Sequence, residues 1–311
     1  MDDSTRDSRP VLVIGATGTM GGATVAALLE RGTAVRALVR RFSTTLDTRV
    51  EQVVGDLGDE RAVRSALRGT RSALYISPHE DGETEFAERF ARVSRDEHVR
   101  IVFCGVHVSR RRLSGRLSAL AFAVMMPAYR AKLALSARLE RDLPDAVMFS
   151  PGNFMDNDEW FLDELLTGTF PHPHRRCSRI AASDIGEACA IALDDPDFPA
   201  GTYDLTGSES FTGAECAAVW QQQLGRPVVY TGADAAEWDR VASLRLPDTR
   251  KGHDSRRSFA LLGKVSVGVD AAALAATTRI LGREPLRYEE YVRRTLLHMR
   301  ATEAGAVTPA S

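Results

Sequence analysis

Short apolar runs alternate with longer amphipathic stretches along the first third of the chain. The runs are typical of buried strands, and the stretches between them repeat apolar residues at helical spacing, as Phe86, Phe90 and Val93 do. Repeated strand–helix units require a parallel sheet with right-handed crossovers. The pattern therefore predicts an α/β fold with a doubly wound parallel sheet, in which ligands bind at the carboxyl ends of the strands. The predicted strands cover residues 11–14, 33–41, 50–54, 73–76 and 100–104, and the predicted helices follow Gly21 and cover 60–67 and 83–97.

The first predicted strand leads directly into three glycines that are spaced three residues apart. The segment reads Gly15, Ala16, Thr17, Gly18, Thr19, Met20, Gly21, and an amphipathic helix follows it. Gly15 permits the tight turn out of the strand, Gly18 lets the backbone approach a phosphate, and Gly21 lets the helix pack closely on the strand. Because a helix N-terminus offers unpaired N–H groups and a positive dipole end, this order of elements predicts a dinucleotide-binding turn.

The end of the second predicted strand distinguishes between the two nicotinamide dinucleotides. A site that prefers NAD places an acidic residue there, about 20 residues past the glycines, to bind the ribose 2′-hydroxyl. This chain has Arg40 and Arg41 instead, with the hydroxyl groups of Ser43 and Thr44 close behind. A guanidinium pairs with a phosphate through two parallel hydrogen bonds, so the sequence favours NADP(H). The alternative is that both arginines are simply solvated at a strand end.

Length and charge fit an enzyme-sized protein that acts on a small molecule. We predict a tail at 1–9, an NADP-binding domain at 10–155, a substrate-binding portion at 156–303 that is partly interleaved with the sheet, and a tail at 304–311. The formal net charge of -2 argues against a general binder of nucleic acid or of membrane surfaces. The longest apolar stretch, 117–128, is too short to span a bilayer.

The cysteines and histidines give no indication of a metal site. Four cysteines lie far apart, so free thiols in a reducing cytoplasm are the simplest interpretation. His172 and His174 lie in a proline-interrupted stretch with no acid or thiol pair nearby in the sequence, which predicts a plain loop. Around this loop the pattern predicts helices at 158–166 and 212–224, a helix start near Ser183, a short strand at 227–230, and helical stretches around Glu237, Leu274 and Tyr291.

Six segments in a fixed order carry a resemblance to a known family. They are the glycine segment 15–21, residues 35–40, Gly55-Asp56-Leu57, and residues 150–157, 183–186 and 203–207. In this combination the chain resembles the NmrA-like family of atypical short-chain dehydrogenases/reductases, from about Val11 to Pro285. The resemblance implies an NAD(P)-binding Rossmann fold. The family includes NADPH-dependent reductases of quinones, dyes and phenolic natural products, and also non-catalytic NADP-sensing regulators.

The resemblance also implies roles for individual positions. Asp56 and Leu57 would lie around the adenine, Ser77 and Pro78 would flank the cofactor ribose, and Lys132 would reach the nicotinamide ribose. The nicotinamide and substrate side would be lined by Pro151, Gly152, Asn153 and Phe154. Lys132 has independent support, because lysine is scarce in this arginine-rich chain and an ammonium group can hydrogen-bond ribose hydroxyls.

The chain departs from the usual catalytic set of short-chain dehydrogenases. That set has a tyrosine four residues before the lysine and a serine after the fifth strand. Here the first position holds Ala128, and the positions after the fifth strand hold Cys104 and Gly105. Tyr129 lies three residues before Lys132, which turns its side chain by about 100° around the helix relative to the usual position.

Hydride transfer itself needs no acid from the protein, because the cofactor carries the chemistry. An activated acceptor such as a quinone can take its proton from solvent. A less activated carbonyl needs a proton donor, and the candidates at the strand ends are His107, Tyr129 and Lys132, followed by His79.

The segment before Lys132 combines a basic loop, residues 109–116, with an apolar run that includes Met125 and Met126. It is either a flap that provides a methionine-lined wall for a flat substrate or an amphipathic helix packed on the core.

The sequence thus predicts a cytoplasmic NADPH-dependent oxidoreductase, monomeric or homodimeric, that transfers hydride to an aromatic, quinone or polyketide-like molecule in natural product biosynthesis. Two alternatives stay open: a non-catalytic NADP-sensing regulator that binds a protein through residues 110–116, and a non-redox tailoring enzyme on the same fold.

Overall fold

The computed structural model describes residues 7–78, 80–108, 120, 123–124 and 129–306, the last five without their side chains. The chain divides into two units. Unit 1 comprises Met1–Pro151, Ala182–Leu205 and Ala275–Arg283, and unit 2 comprises Gly152–Ala181, Thr206–Leu274 and Glu284–Ser311. The chain therefore leaves unit 1 at Pro151 rather than at residue 155, and it returns to unit 1 twice.

Unit 1 contains a parallel sheet of seven strands. They are β1 (Val11–Ile14), β2 (Val35–Val39), β3 (Glu51–Val54), β4 (Ser72–Tyr75), β5 (Arg100–Cys104), β6 (Val147–Pro151) and β10 (Gly201–Leu205). Their order in the sheet is β10-β6-β5-β4-β1-β2-β3, and every pairing is parallel. The predicted doubly wound sheet is confirmed, and the change of direction between β1 and β4 marks the crevice where such sheets bind ligands.

Helices cover both faces of this sheet. They are α1 (Thr19–Glu30), α2 (Glu60–Leu67), α3 (Glu83–Asp96), α4 (Arg130–Asp142) and α6 (Ala182–Asp194), and α10 (Ala271–Leu281) begins in unit 2 and ends in unit 1. The strand residues of β1 and β4 are buried and almost entirely apolar, as expected for parallel strands covered on both sides. Helices α1 and α6 pack so closely that a Cβ on Gly186 would lie 2.5 Å from the carbonyl carbon of Ala23.

Unit 2 has two small sheets and its own apolar core. Strand β9 (Arg176–Ile180) pairs with β7 (Asn153–Phe154), β11 (Ser210–Phe211) and β13 (Ser266–Val267), and β8 (Thr169–Phe170) pairs with β12 (Val229–Tyr230). One part of the core surrounds Trp220 and Tyr288, and a second part surrounds Phe161 and Trp238. The helices are α5 (Leu162–Thr167), α7 (Gly213–Leu224), α8 (Ala235–Arg245), α9 (Arg250–Leu262) and α11 (Tyr288–Ala306).

Three helical elements of unit 2 differ from the prediction. A 3-10 helix (Met155–Phe161) precedes α5, where a single helix over 158–166 is predicted. Side chains three residues apart eclipse in a 3-10 helix, so Met155, Asp158 and Phe161 are all buried. Helix α9 has no predicted counterpart because its sequence is rich in charged residues, and α11 continues past the predicted start of the tail at residue 304. No helix among the described residues is long and apolar enough to cross a membrane.

Candidate functional site

The glycine turn has the backbone geometry that its three glycines predict. Gly15 has a φ of +84°, a left-handed conformation that residues with side chains rarely adopt. A Cβ on Gly21 would lie 2.0 Å from the carbonyl oxygen of Gly15, so only glycine lets α1 begin this close to β1. Helix α1 follows Gly18 without a side-chain cap, and Thr17, Gly18 and Thr19 are exposed. The first N–H groups of α1 are therefore available to an anion.

Two exposed arginines lie at the end of β2, next to this turn. Arg40 and Arg41 are at the same carboxyl edge of the sheet as the glycine turn, because β1 and β2 are adjacent and parallel. The Arg40 guanidinium donates to Oε2 of Glu80 at 3.0 Å, although 72% of the Arg40 side chain is exposed. An ion pair this exposed is weak, so Glu80 competes with a phosphate for Arg40 without blocking it.

The turns after β3 and β4 lie on either side of these elements. After β3, Oδ1 of Asp56 accepts a hydrogen bond from the Gly58 backbone at 2.6 Å, and Arg89 of α3 donates to the Leu57 carbonyl at 2.9 Å. After β4, Ser77 and Pro78 are half-buried. The order of strands places both turns at the carboxyl edge, one next to β2 and the other next to β1.

Lys132 is buried in the first turn of α4 and forms an ion pair. Its Nζ donates to Oε2 of Glu83 at 2.7 Å and to the Pro78 carbonyl at 3.3 Å, and only 6% of the residue is exposed. Glu83 is the first residue of α3, where the positive end of the helix dipole stabilises a carboxylate. The structure brings Lys132 and Pro78 together and adds Glu83, which no sequence pattern indicates because it is 49 residues away.

His107, which follows β5, lies beside the C-terminal part of α4. Its side chain is fully buried, with Nε2 3.3 Å from Oγ1 of Thr202 and 3.8 Å from Oε2 of Glu140. Glu140 and Lys132 are eight residues apart on α4, which corresponds to about 12 Å along the helix axis. The structure therefore places the buried His107 ring near the end of α4 opposite to Lys132.

The residues that replace the usual serine and tyrosine have different surroundings. Cys104 is buried with its Sγ 3.7 Å from Sδ of Met20, and a hydrogen bond with the Cys189 thiol together with burial raises the pKa of Cys104, so it stays a neutral thiol. Tyr129 immediately precedes α4 and is partly exposed. Other predicted features lie outside the described residues: His79, Ala128, Met125, Met126 and the basic loop 109–116.

The remaining predicted site residues follow β6. Pro151 ends β6 in unit 1, whereas Asn153 and Phe154 form β7 in unit 2. Oδ1 of Asn153 accepts a hydrogen bond from Asn157 at 2.7 Å, and the Phe154 carbonyl accepts one from Arg179 at 3.0 Å. The 3-10 helix and a buried arginine thus fix the position of β7 within unit 2.

A fully buried carboxylate, Asp158, organises the interior of unit 2. It accepts hydrogen bonds from Arg179 at 2.7 and 3.2 Å, from Nε1 of Trp220 at 3.2 Å and from the Tyr288 hydroxyl. Burial is the largest single effect and raises the pKa of Asp158, but the Arg179 charge, together with the hydrogen bonds from Arg179 and the contact with His172, outweighs burial and holds this pKa below its ordinary value. Asp158 is therefore ionised and fully paired, which marks it as a structural residue.

His172 and His174 lie beside this carboxylate. Nδ1 of His172 is 3.6 Å from Oδ1 of Asp158, and the two imidazole centroids are 4.2 Å apart. Burial lowers the pKa of His172 to about 4 and that of His174 well below its ordinary value, so both are neutral at pH 7. The sequence shows no acid near these histidines, but folding brings one to them, and the loop is a core element. Within the described residues, no three His, Cys, Asp or Glu side chains are grouped as in a metal site.

The doubly wound sheet, the glycine turn and the adjoining arginines define a dinucleotide-binding type of α/β protein. The family model of the NmrA-like family matches residues 7–291, so the chain belongs to the NmrA-like family. An NAD(P)H azoreductase from Xenophilus azovorans is 26% identical over 227 residues, which are 71% of this chain and 76% of that protein.

Solved structures show the same fold. Triphenylmethane reductase from Citrobacter sp., complexed with NADP(H), has a TM-score of 0.73 at 18% identity, over 92% of this chain and 99% of that chain. NmrA, a negative transcriptional regulator in complex with NADP, has a TM-score of 0.67 at 13% identity, over 96% of this chain and 98% of that chain. The fold therefore occurs both in a reductase and in a regulator.

Proposed function

We propose that this protein binds NADP(H) and uses NADPH to reduce a flat aromatic or quinone-type acceptor. The observation that carries the proposal is the exposed glycine turn at the start of α1 beside two arginines at the end of β2. The residues present fit the cofactor, because a side chain at Gly21 would collide with the turn and the uncapped helix start can receive a pyrophosphate. Arg40 and Arg41 supply the charge for a 2′-phosphate. The azoreductase relative supports the reaction class.

The residues of the chain bind and orient, and NADPH when bound supplies the hydride. Lys132 is held beside the Pro78 carbonyl, where its ammonium would hydrogen-bond the ribose next to the nicotinamide. From the family resemblance, Asp56 and Leu57 would contact the adenine, and Asn153 would act on the nicotinamide side.

The choice of acceptor follows from the residues that can supply a proton. A quinone can take its proton from water after accepting a hydride, and a cationic dye needs no proton because the hydride neutralises its charge, so the burial of His107 is no obstacle to such substrates. A plain ketone needs an acid, and partly exposed Tyr129 is the candidate we retain. We therefore expect conjugated acceptors to be reduced faster than simple ketones.

A non-catalytic NADP sensor is the second candidate. Ala128 stands where a dehydrogenase has its proton-donating tyrosine, and the structural similarity to NmrA extends over nearly the whole chain. Under this alternative the same glycine turn and arginines bind the cofactor, and no acceptor is reduced.

The experiment follows NADPH absorbance with a panel of quinones, azo dyes, triphenylmethane dyes and aromatic ketones, next to fluorescence titrations with NADPH and NADH. The expected result is tighter binding of NADPH than of NADH and oxidation of NADPH by at least one conjugated acceptor. Tight binding without oxidation by any member of the panel would replace the reductase with the sensor. Failure to bind either dinucleotide would refute both.

A further inference from the structure

We propose that Glu83 is a positioning residue, which holds the Lys132 ammonium at the point where it meets the ribose of NADPH. The proposal rests on the function proposed above, because Lys132 has this task only in a protein that binds NADPH. Nothing in the family resemblance assigns a role to Glu83.

The ion pair between these residues is buried at both ends. Nζ of Lys132 lies 2.7 Å from Oε2 of Glu83, and the exposed fractions of the two side chains are 7% and 3%. Burying two charges carries a large desolvation penalty, and apolar residues of similar size often stabilise a fold equally well or better. A buried pair at the edge of the ligand crevice is therefore inefficient as a stabiliser. Its presence indicates that an ammonium group is required at this point.

The backbone before α3 places the Glu83 carboxylate where it can act. Gly82 has a φ of +84°, and a Cβ on it would lie 3.0 Å from the Phe86 ring, so the chain turns sharply into the helix. Glu83 follows as the first helical residue, with its carboxylate at the positive end of the helix dipole. Pro78 thus lies in the β4–α3 connection and Glu83 directly follows that connection, and both contact Lys132.

Fixing a lysine matters because of its flexibility. Its ammonium is a compact charge on a four-carbon stem with many rotamers, and ordering such a side chain when a ligand binds lowers the affinity. Glu83 and the Pro78 carbonyl order the stem before the cofactor arrives. Loss of Glu83 should therefore weaken contacts to the nicotinamide half of the cofactor and leave the adenine half untouched.

The test measures binding of two ligands by fluorescence or calorimetric titration. NADPH carries both halves of the cofactor, whereas 2′,5′-ADP carries only the adenine half and lacks the nicotinamide ribose. The variants are Glu83→Gln, Lys132→Met and the double variant. The matched control is Glu97→Gln, which removes a carboxylate from the other end of α3, where it pairs with Arg64 at 3.0 Å.

We expect Glu83→Gln and Lys132→Met each to weaken the binding of NADPH by roughly tenfold or more, because each variant loses one hydrogen bond to a charged group. Binding of 2′,5′-ADP should stay close to that of the wild type in every variant, and Glu97→Gln should bind both ligands normally. Because Glu83 acts through Lys132, adding Glu83→Gln to Lys132→Met should cause little further loss.

Four results would overturn the proposal. Wild-type NADPH affinity in Glu83→Gln would refute the role of Glu83 alone, whereas a wild-type protein that does not bind NADPH would refute the proposed function as well. Equal losses of NADPH and 2′,5′-ADP would show a merely structural role. The double variant has a neutral pair of similar size in place of the two charges, so it can be tested if a single variant fails to fold. Normal binding of NADPH by the double variant would also refute the proposal.

Discussion

Acid is expected to destabilise unit 2 through its buried histidine, His172. Burial lowers the pKa of His172 from 6.5 to about 4, whereas the unfolded chain returns the imidazole to its ordinary value. Between these pH values the unfolded state binds a proton that the folded state does not. The stability contributed by the neutral ring is therefore fully present above pH 6.5 and is lost as the pH falls toward 4.

The size of the effect follows from this shift. One pKa unit corresponds to about 1.4 kcal/mol, so the full loss is about 3 kcal/mol, and about 2 kcal/mol of it is reached at pH 5. His174 acts in the same direction, because burial also lowers its pKa. Asp158 titrates below this range, since the Arg179 and His172 interactions together outweigh burial and lower its pKa from 3.8.

Tryptophan fluorescence can measure this loss in unit 2 specifically, because Trp160, Trp220 and Trp238 all belong to unit 2. Urea unfolding would be followed between pH 7.5 and 5.0 for the wild type and for His172→Phe. The phenyl ring suits the site, since the His172 ring centroid lies 4.2 Å from that of Phe259. His253→Gln is the control, because this histidine is exposed and pairs with Asp248 at 2.8 Å.

The wild type and His253→Gln should each lose about 2 kcal/mol or more on going from pH 7 to pH 5. The loss of stability in His172→Phe should be smaller by about 2 kcal/mol, because this variant lacks the titrating imidazole. A wild type whose stability is flat over this range, or a His172→Phe variant as acid-sensitive as the wild type, would refute the reasoning.

Four further variants test the site and the core. Replacing Arg40 and Arg41 together by alanine should weaken the binding of NADPH about tenfold or more and the binding of NADH only a little. Equal losses of affinity for both dinucleotides in a titration would refute the 2′-phosphate assignment. Glu80→Gln removes a competitor for Arg40 and should strengthen NADPH by less than about fivefold, the scale of an exposed ion pair, whereas weaker binding would contradict this. Gly21→Ala places a Cβ 2.0 Å from a carbonyl oxygen, so NADPH binding and melting temperature should both fall, and unchanged binding would disprove the close approach. Asp158→Asn leaves a buried arginine without its counter-charge and should cost unit 2 about 3–5 kcal/mol in urea unfolding, and a cost near zero would show that the pair is dispensable.

The sequence predicts the parts of this protein that depend on local pattern. The first five strands of the sheet, the left-handed turn at Gly15 and the tight approach at Gly21 all follow from residues that are close together in the chain. The capping box at Thr212 and Glu215 likewise fixes the start of α7 near its predicted position.

The parts that the sequence does not predict depend on contacts between distant residues. Glu83 meets Lys132 across 49 positions, and Asp158 meets Arg179 across 21, with no spacing rule to connect them. The sequence predicts a loop at His172 because the acidic neighbour of this residue, Asp158, comes from the 3-10 helix. That helix buries three side chains that are spaced three residues apart. Helix α9 is not predicted because Gly252 and the many charged residues interrupt the helical spacing of its apolar residues.

The return of the chain to unit 1 has a consequence for synthesis and for truncation. Strand β10 pairs with β6 only after the whole segment Gly152–Ala181 and helix α6 have been made, so the last strand of the sheet joins late. A fragment that ends near residue 155 would lack both β10 and α6. Strand β6, whose Val147, Met148 and Phe149 are buried in the complete protein, would then become an open apolar edge that can pair with other chains. An N-terminal fragment cut there should aggregate, whereas one that extends through Leu205 keeps the complete sheet.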